Sequence, residues 1–284
     1  MDVQKWFNRA RMKKAYDLYT DQEMPIYAGY ATLFIMMAAV PMLMLVIAVI
    51  NVMPWFSPEG FTETLFQFLP DLPEVKAMIL GVVSNLNRQS SGLLVSITAI
   101  TTLWSASAGM TAIQKGLQKI TAGSVVTKAD KPKALGYTFL FIFVILALLV
   151  FGVLGETIQK ALKEFAKDYG FDMITRWITS VMTVSELLTL VGVILVIALM
   201  YRYLPGGTRT MKDQIPGAIF STVLWLVFSA IFAFFISRFW GASAIYGSLA
   251  AIFLIALWLR FIITILFLGA AFNQVLDEQD SEVK

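Results

Sequence analysis

The sequence predicts an all-α integral membrane protein: a bundle of six transmembrane helices with short amphipathic helices in the outer loops. Three observations predict it. Of 284 residues, 58% are hydrophobic and only 14% charged, where soluble domains carry about 25% charged residues. The mean hydropathy is +0.74. Six apolar stretches each reach the ~20 residues needed to cross ~30 Å of hydrocarbon.

The segment 1–27 carries Lys5, Arg9, Arg11, Lys13 and Lys14 and is expected to be a cytoplasmic, basic N-terminal segment. The apolar run behind it begins near Ala28. It is too long for a secretory h-region and ends at no small-residue cleavage site, so it reads as the first membrane helix and not as a cleaved signal. The membrane domain is expected over 28–276, with spans near 28–53, 90–112, 134–155, 178–201, 214–237 and 246–272. Span 1 contains Pro41, which removes a backbone hydrogen bond and bends a helix. Such bends occur at moving parts of transporters and in static bundles alike. After it, "FTETLFQFLPDLPEVKAMILGVVSNL" spaces apolar residues at three and four around Pro70 and Pro73, the pattern of two amphipathic helices on the outer face. "ETIQKALKEFAKDYGFDMITRW", between spans 3 and 4, has the same character. The tail, 277–284, is a short acidic run expected to be cytoplasmic and disordered.

Orientation follows from the basic residues. The N-terminal segment, the loop with Lys115, Lys119, Lys128, Lys131 and Lys133, the loop with Arg202, Arg209 and Lys212, and Lys284 share one side: fourteen, against seven in the other loops. The positive-inside rule therefore places both termini in the cytoplasm. Lys115, Lys119, Arg202, Arg209 and Lys212 form a candidate basic rim facing the anionic inner leaflet.

Small residues set one turn apart let membrane helices approach closely. Ser105 and Gly109, Gly217 and Ser221, and Ser243, Gly247 and Ala251 have that spacing. Packing is the plain reading. Gly241 and Gly247 also permit a broken start to span 6.

Several chemistries are excluded. There is no cysteine, hence no disulfide or thiolate metal site. There is no histidine, the commonest general base and transition-metal ligand. No GxxxxGK[ST] phosphate loop is present, so no nucleotide is bound through one. No metal, no cofactor and no nucleic-acid partner is expected, and no catalytic residue is assigned.

Three stretches, "LWSASAGMTAIQKGLQKI", "YRYLPGG…DQIPGAIFSTVLWLVFS" and "YGSLAAIFLIALWLRFIITILFLGA", resemble the YihY/BrkB family of bacterial inner-membrane proteins, from about Tyr27 to Val275. The matching pieces are Pro41, "LWSAS", "YRYLP", "PGA", and the "YG" and "LG" of span 6. The resemblance implies six membrane helices. It brings an old ribonuclease label (ribonuclease BN), now regarded as mistaken, and links with serum resistance and with lipid or lipopolysaccharide export. Two positions depart from the family pattern: Ala271 stands where an acidic residue is frequent, and "AGMTAIQK" follows "WSAS" where a more basic stretch is usual.

Two charges fall inside spans: Glu186 in span 4 and Arg260 in span 6. Counted from the expected helix starts they lie roughly 15 and 21 Å deep. Intramembrane charges usually face a bundle interior or a watery cavity. Arg260 and Glu186 are therefore the candidate substrate site, the guanidinium holding a phosphate or carboxylate. A static buried ion pair and snorkelling to an interface are the alternatives. The expected function is handling or transport of a lipid or anionic amphiphile in the bacterial plasma membrane, with membrane lipids as partners. The alternative is a non-transporting scaffold or envelope-maintenance protein.

Overall fold

Helix length is the feature that organises this molecule. In the computed structural model the last helix runs for 36 residues, ~54 Å at 1.5 Å per residue. That exceeds the hydrocarbon thickness of ~30 Å, so one end must be wrapped by something other than lipid. The structure describes residues 8–52, 92–124, 190–206, 209–239 and 247–282, and positions 66, 76, 77, 79–81, 136, 137 and 140.

The described residues are helical, with no strand among them. The helices are α1 (Arg9–Asp21), α2 (Met24–Val52), α3 (Gly92–Ala122), α4 (Leu190–Tyr203), α5 (Met211–Phe239) and α6 (Gly247–Glu282). Two of these, over Met211–Ile236 and Ala250–Glu278, are long and apolar enough to span a membrane; Met24–Ala39 and Leu190–Tyr203 are shorter apolar helices. Expected spans 1, 2 and 4 overlap α2, α3 and α4, span 5 falls within α5, and span 6 lies within α6 from Gly247 on. Span 3 apart from Gly136, Tyr137 and Leu140, the 156–177 loop and Glu186 lie outside the described residues. Between α2 and α3, Phe66, Lys76, Ala77 and Ile79–Gly81 are helical, with the Lys76 ammonium 5.6 Å from the Phe66 ring centre.

The basic N-terminal segment is more than a free arm. Asn8 caps α1, its side chain accepting the Ala10 N–H at 3.3 Å, as short polar side chains do at helix starts. Ala15 and Tyr19 on one face are buried, and the Tyr19 hydroxyl donates to Thr264 Oγ1 of α6 at 3.3 Å. The chain then reverses through Gln22 and Glu23. Glu23 takes the left-handed conformation, φ 57°, which costs a non-glycine residue of order 1–3 kcal/mol and persists only where its surroundings hold it. Lys119 of α3 does so with a 2.7 Å ion pair. Pro25 follows in the first turn of α2, where its missing N–H is no loss.

The α2–α3 contact is built from small residues. Ala28 and Ala31 are fully buried. A methyl added at Gly109 would lie 2.8 Å from Ile35 Cγ1, and one at Gly116 would lie 2.6 Å from the Phe267 ring. Helix α2 continues through Pro41. At the start of α5 the Thr210 N–H and hydroxyl both donate to Asp213, at 3.2 and 2.7 Å, so α5 opens at Met211, ahead of the "PGA" at Pro216. Helix α6 touches α1, α2, α3 and α5 and is the axis of the bundle.

Burial along α6 changes abruptly. Ile252, Phe253, Leu257 and Phe261 are exposed, whereas Ile263, Ile265, Phe267, Ala270–Phe272 and Val275 are buried. The first half presents apolar side chains outward, as a lipid-facing helix does. The second half is sheathed by protein. For the same reason the acidic tail is not a disordered run: α6 stays helical through Glu282. Gln274 donates to Glu278 at 2.7 Å, an i,i+4 contact that supports the helix.

Candidate functional site

Arg260 sits where that change occurs. It was expected to be enclosed in the bundle; instead it is exposed. Its Nη2 donates to the Pro25 carbonyl of α2 at 3.5 Å, and its Nη1 lies against Gly29, where a Cβ would come within 2.8 Å. Beyond it Phe261 is still exposed, and burial begins at Ile263. Helix α1 reaches Thr264, one turn from Arg260, through the Tyr19 hydroxyl. Its proposed partner Glu186 is not among the described residues.

A buried polar junction joins α4, α5 and α6 at the end where α1 packs. The Tyr201 hydroxyl donates to the Leu266 carbonyl at 2.6 Å and lies 2.7 Å from Ser221 Oγ, which donates to the Ile265 carbonyl at 3.1 Å. One turn further on, the Asn273 amide donates to the Gln214 carbonyl at 3.1 Å and to Gln214 Oε1 at 3.3 Å, and its oxygen accepts the Gly217 N–H at 2.6 Å. The helices meet at Gly217 and Gly269. A Cβ on Gly269 would run into Ser221, Tyr201 and the Gly217 carbonyl; a Cβ on Gly217 would meet the Gly269 carbonyl and Asn273. These contacts tie "YRYLP", "DQIPGA" and "FLGAAFNQ" into one unit. Sequence reasoning picked out Gly217 and Ser221 and missed Tyr201, Gln214, Gly269 and Asn273. The available signal was an amide inside an apolar helix. Gln114 Oε1 and Gln214 Nε2, both buried, each have a hydrogen bond still to make.

Among the described residues, two of the five rim residues have acidic partners. Arg209 donates to Gln274 Oε1 and pairs with Asp277 at 3.4 Å. Lys119 pairs with Glu23 and lies 5.7 Å from the Tyr27 ring centre. The hydrogen bond and charge of Lys119 lower the Glu23 pKa; the same hydrogen bond raises that of Lys119. Arg202 lies 5.3 Å from the Tyr203 ring centre. Lys212 is exposed and Lys115 half-buried. Among the small residues, Ser105 and Ala251 are buried, Gly247 is the first residue of α6, and Ser243 lies outside the described residues.

A cavity of about 290 Å³ opens between α3, α4 and the 136–140 segment, lined by Met110, Tyr137, Leu140, Val196, Leu199, Met200, Tyr203 and Leu204. Of its two tyrosines, Tyr137 spends its hydroxyl on the Tyr203 carbonyl at 2.8 Å. Arg260 is not part of its wall.

Residues 15–284 match the family model described as Virulence factor BrkB. The chain belongs to the BrkB family. BrkB-type relatives align along nearly their whole length. YfkH of Bacillus subtilis, named only as ribonuclease-like, is 25% identical over 94% of this chain and 95% of its own. A UPF0761 membrane protein of Aggregatibacter aphrophilus is 23% identical over 90% of this chain and 87% of its own. A UPF0761 membrane protein of Pseudoalteromonas translucida is 22% identical, over 92% and 84%. No solved structure matches the chain significantly. This BrkB chain is thus a membrane protein of the UPF0761 type. The names of the two UPF0761 relatives state no catalytic function.

Proposed function

We propose that the protein handles a lipid or anionic amphiphile in the bacterial plasma membrane, with both termini cytoplasmic. The observation that supports this reading best is the apolar cavity beside α4. Its volume is near the low end of ligand pockets, ~300–1,000 Å³. Its wall offers almost wholly methyl, thioether and ring surface, which suits an acyl chain. The adjoining Arg202 supplies positive charge for a headgroup.

Native mass spectrometry of the gently purified protein tests this. The wild type should retain lipid, and Leu199→Trp, which fills the cavity, should carry one bound lipid fewer while melting normally. Identical lipid retention by the two would sink the cavity as the binding site.

The scaffold reading has one observation in its favour. The α5–α6 seam is closed at Gly217 and Gly269 and fixed by Asn273, a contact too tight to admit a substrate between these two helices. A non-enzymatic role fits both readings. The sequence has no histidine, and the described residues contain no group of three carboxylates able to share a metal ion. The ribonuclease-like label of YfkH is therefore not extended to this protein.

A further inference from the structure

We propose that Arg260 is a docking point for the phosphodiester of an anionic phospholipid, on the outer surface of the seam between α2 and α6. This site is separate from the cavity beside α4 and does not depend on it.

The placement is unusual for an arginine. On α2 the exposed side chains are Ile26, Tyr30, Leu33 and Met37, a stripe at helical spacing; on α6 they are Phe253, Leu257 and Phe261. Arg260 lies between the two stripes, beside Pro25 and Gly29. A guanidinium on such a surface cannot lose its charge and carries five N–H donors. Among the described residues it makes one hydrogen bond, to Pro25, at the long limit of 3.5 Å. Glu23, just before α2, is already held by Lys119 at 2.7 Å. Most of the donor capacity is therefore spare.

The level of the site selects the ligand. Tyr19 and Thr264 place the charged helix α1 one turn away, so Arg260 lies at a boundary between water and apolar surface. Tyr30, exposed and packed on Phe34 with ring centres 4.6 Å apart, is the kind of residue enriched at that boundary. Phosphates of lipid headgroups occupy the same level. A guanidinium binds phosphate through two parallel N–H···O bonds. Gly29 adds the geometric element: without a Cβ there, the guanidinium can lie against the α2 backbone with its other edge turned outward.

The test is a titration of the full-length, delipidated protein with phosphatidylglycerol in mixed micelles, followed by native mass spectrometry. Arg260→Gln should weaken one phosphatidylglycerol site by roughly tenfold or more, the loss expected of a charged hydrogen bond. Gly29→Ala, which only pushes the far end of a flexible side chain, should fold and weaken the same site less. Leu199→Trp should leave it unchanged. Equal phosphatidylglycerol binding by wild type, Arg260→Gln and Gly29→Ala overturns the proposal. So does displacement by millimolar inorganic phosphate, which marks a free-phosphate site, or equal affinity for phosphatidylethanolamine, which removes the requirement for net negative charge.

Discussion

Gly269→Ala is the sharpest test of the junction between α4, α5 and α6. The added methyl meets Ser221 Oγ, the Tyr201 hydroxyl and the Gly217 carbonyl. None of these gives way cheaply. The carbonyl is helix backbone. Ser221 is held between Tyr201 and the Ile265 carbonyl, at 2.7 and 3.1 Å. Relief requires α5 and α6 to separate, and that also strains the Asn273 bonds to Gln214 and Gly217. Overpacking of this kind costs about 1–3 kcal/mol, and each disrupted hydrogen bond adds about 1 kcal/mol. Alanine returns up to ~1 kcal/mol through helix propensity. With two bonds disrupted, the net expectation is a loss of about 2–4 kcal/mol, or roughly 5–15 °C in melting temperature. Thermal unfolding in detergent, followed by the fluorescence of the seven tryptophans, measures it. Gly192→Ala is the control, because a Cβ there meets nothing within 4 Å. If the two alanine variants melt together, the close glycine contact does not carry the stability argued here.

Two further outcomes are expected. The Glu23–Lys119 pair should act across a wide pH window. Glu23 has a folded pKa below its ordinary 4.5, so its contribution is present above that value and lost as pH falls through the lowered one. Lys119 has a folded pKa above its ordinary 10.5, so its contribution is present below that value and lost as pH rises through the raised one. The melting-temperature difference between wild type and Glu23→Gln should be constant near neutrality and vanish in acid; a difference that persists unchanged in acid contradicts the assigned pair. For orientation, the absence of native cysteine allows single-cysteine labelling. Ser57→Cys should react with an impermeant maleimide in intact cells and Ser124→Cys should not; the reverse pattern inverts the topology.

The apolar helices were legible because lipid imposes a length, and runs such as Gln214–Ser237 meet it. Gly109 and Gly217 were legible because small residues one turn apart have few other uses; Gly269, with no such partner in its own helix, was not. What the sequence concealed was the kind of surroundings. Phe267 and Phe253 look alike in a hydropathy window, yet Phe267 is fully buried in protein and Phe253 is 67% exposed. That ambiguity hid the protein cover of the second half of α6, which begins at Ile263, just beyond Arg260. Helix α1 itself reads as charged from end to end, and only the pair Ala15 and Tyr19 hints at a packed face. The polar junction was hidden for a different reason. Tyr201, Gln214 and Asn273 are scattered through three segments, and nothing in any one segment indicates that they meet.

The central position of α6 has a consequence for biosynthesis. It is made after α1 to α5, yet α1, α2, α3 and α5 all pack on it. Until its residues 263–275 emerge, Tyr201 and Ser221 lack their carbonyl acceptors, Gln214 and Gly217 lack Asn273, and the buried face of α1 has nothing to cover. The nascent chain must therefore sit in the membrane as a set of inserted but unclosed helices with an open groove. Closure is then a single late event, triggered by the arrival of the C-terminal segment, and a chain shortened before Ile263 would be inserted without ever being assembled.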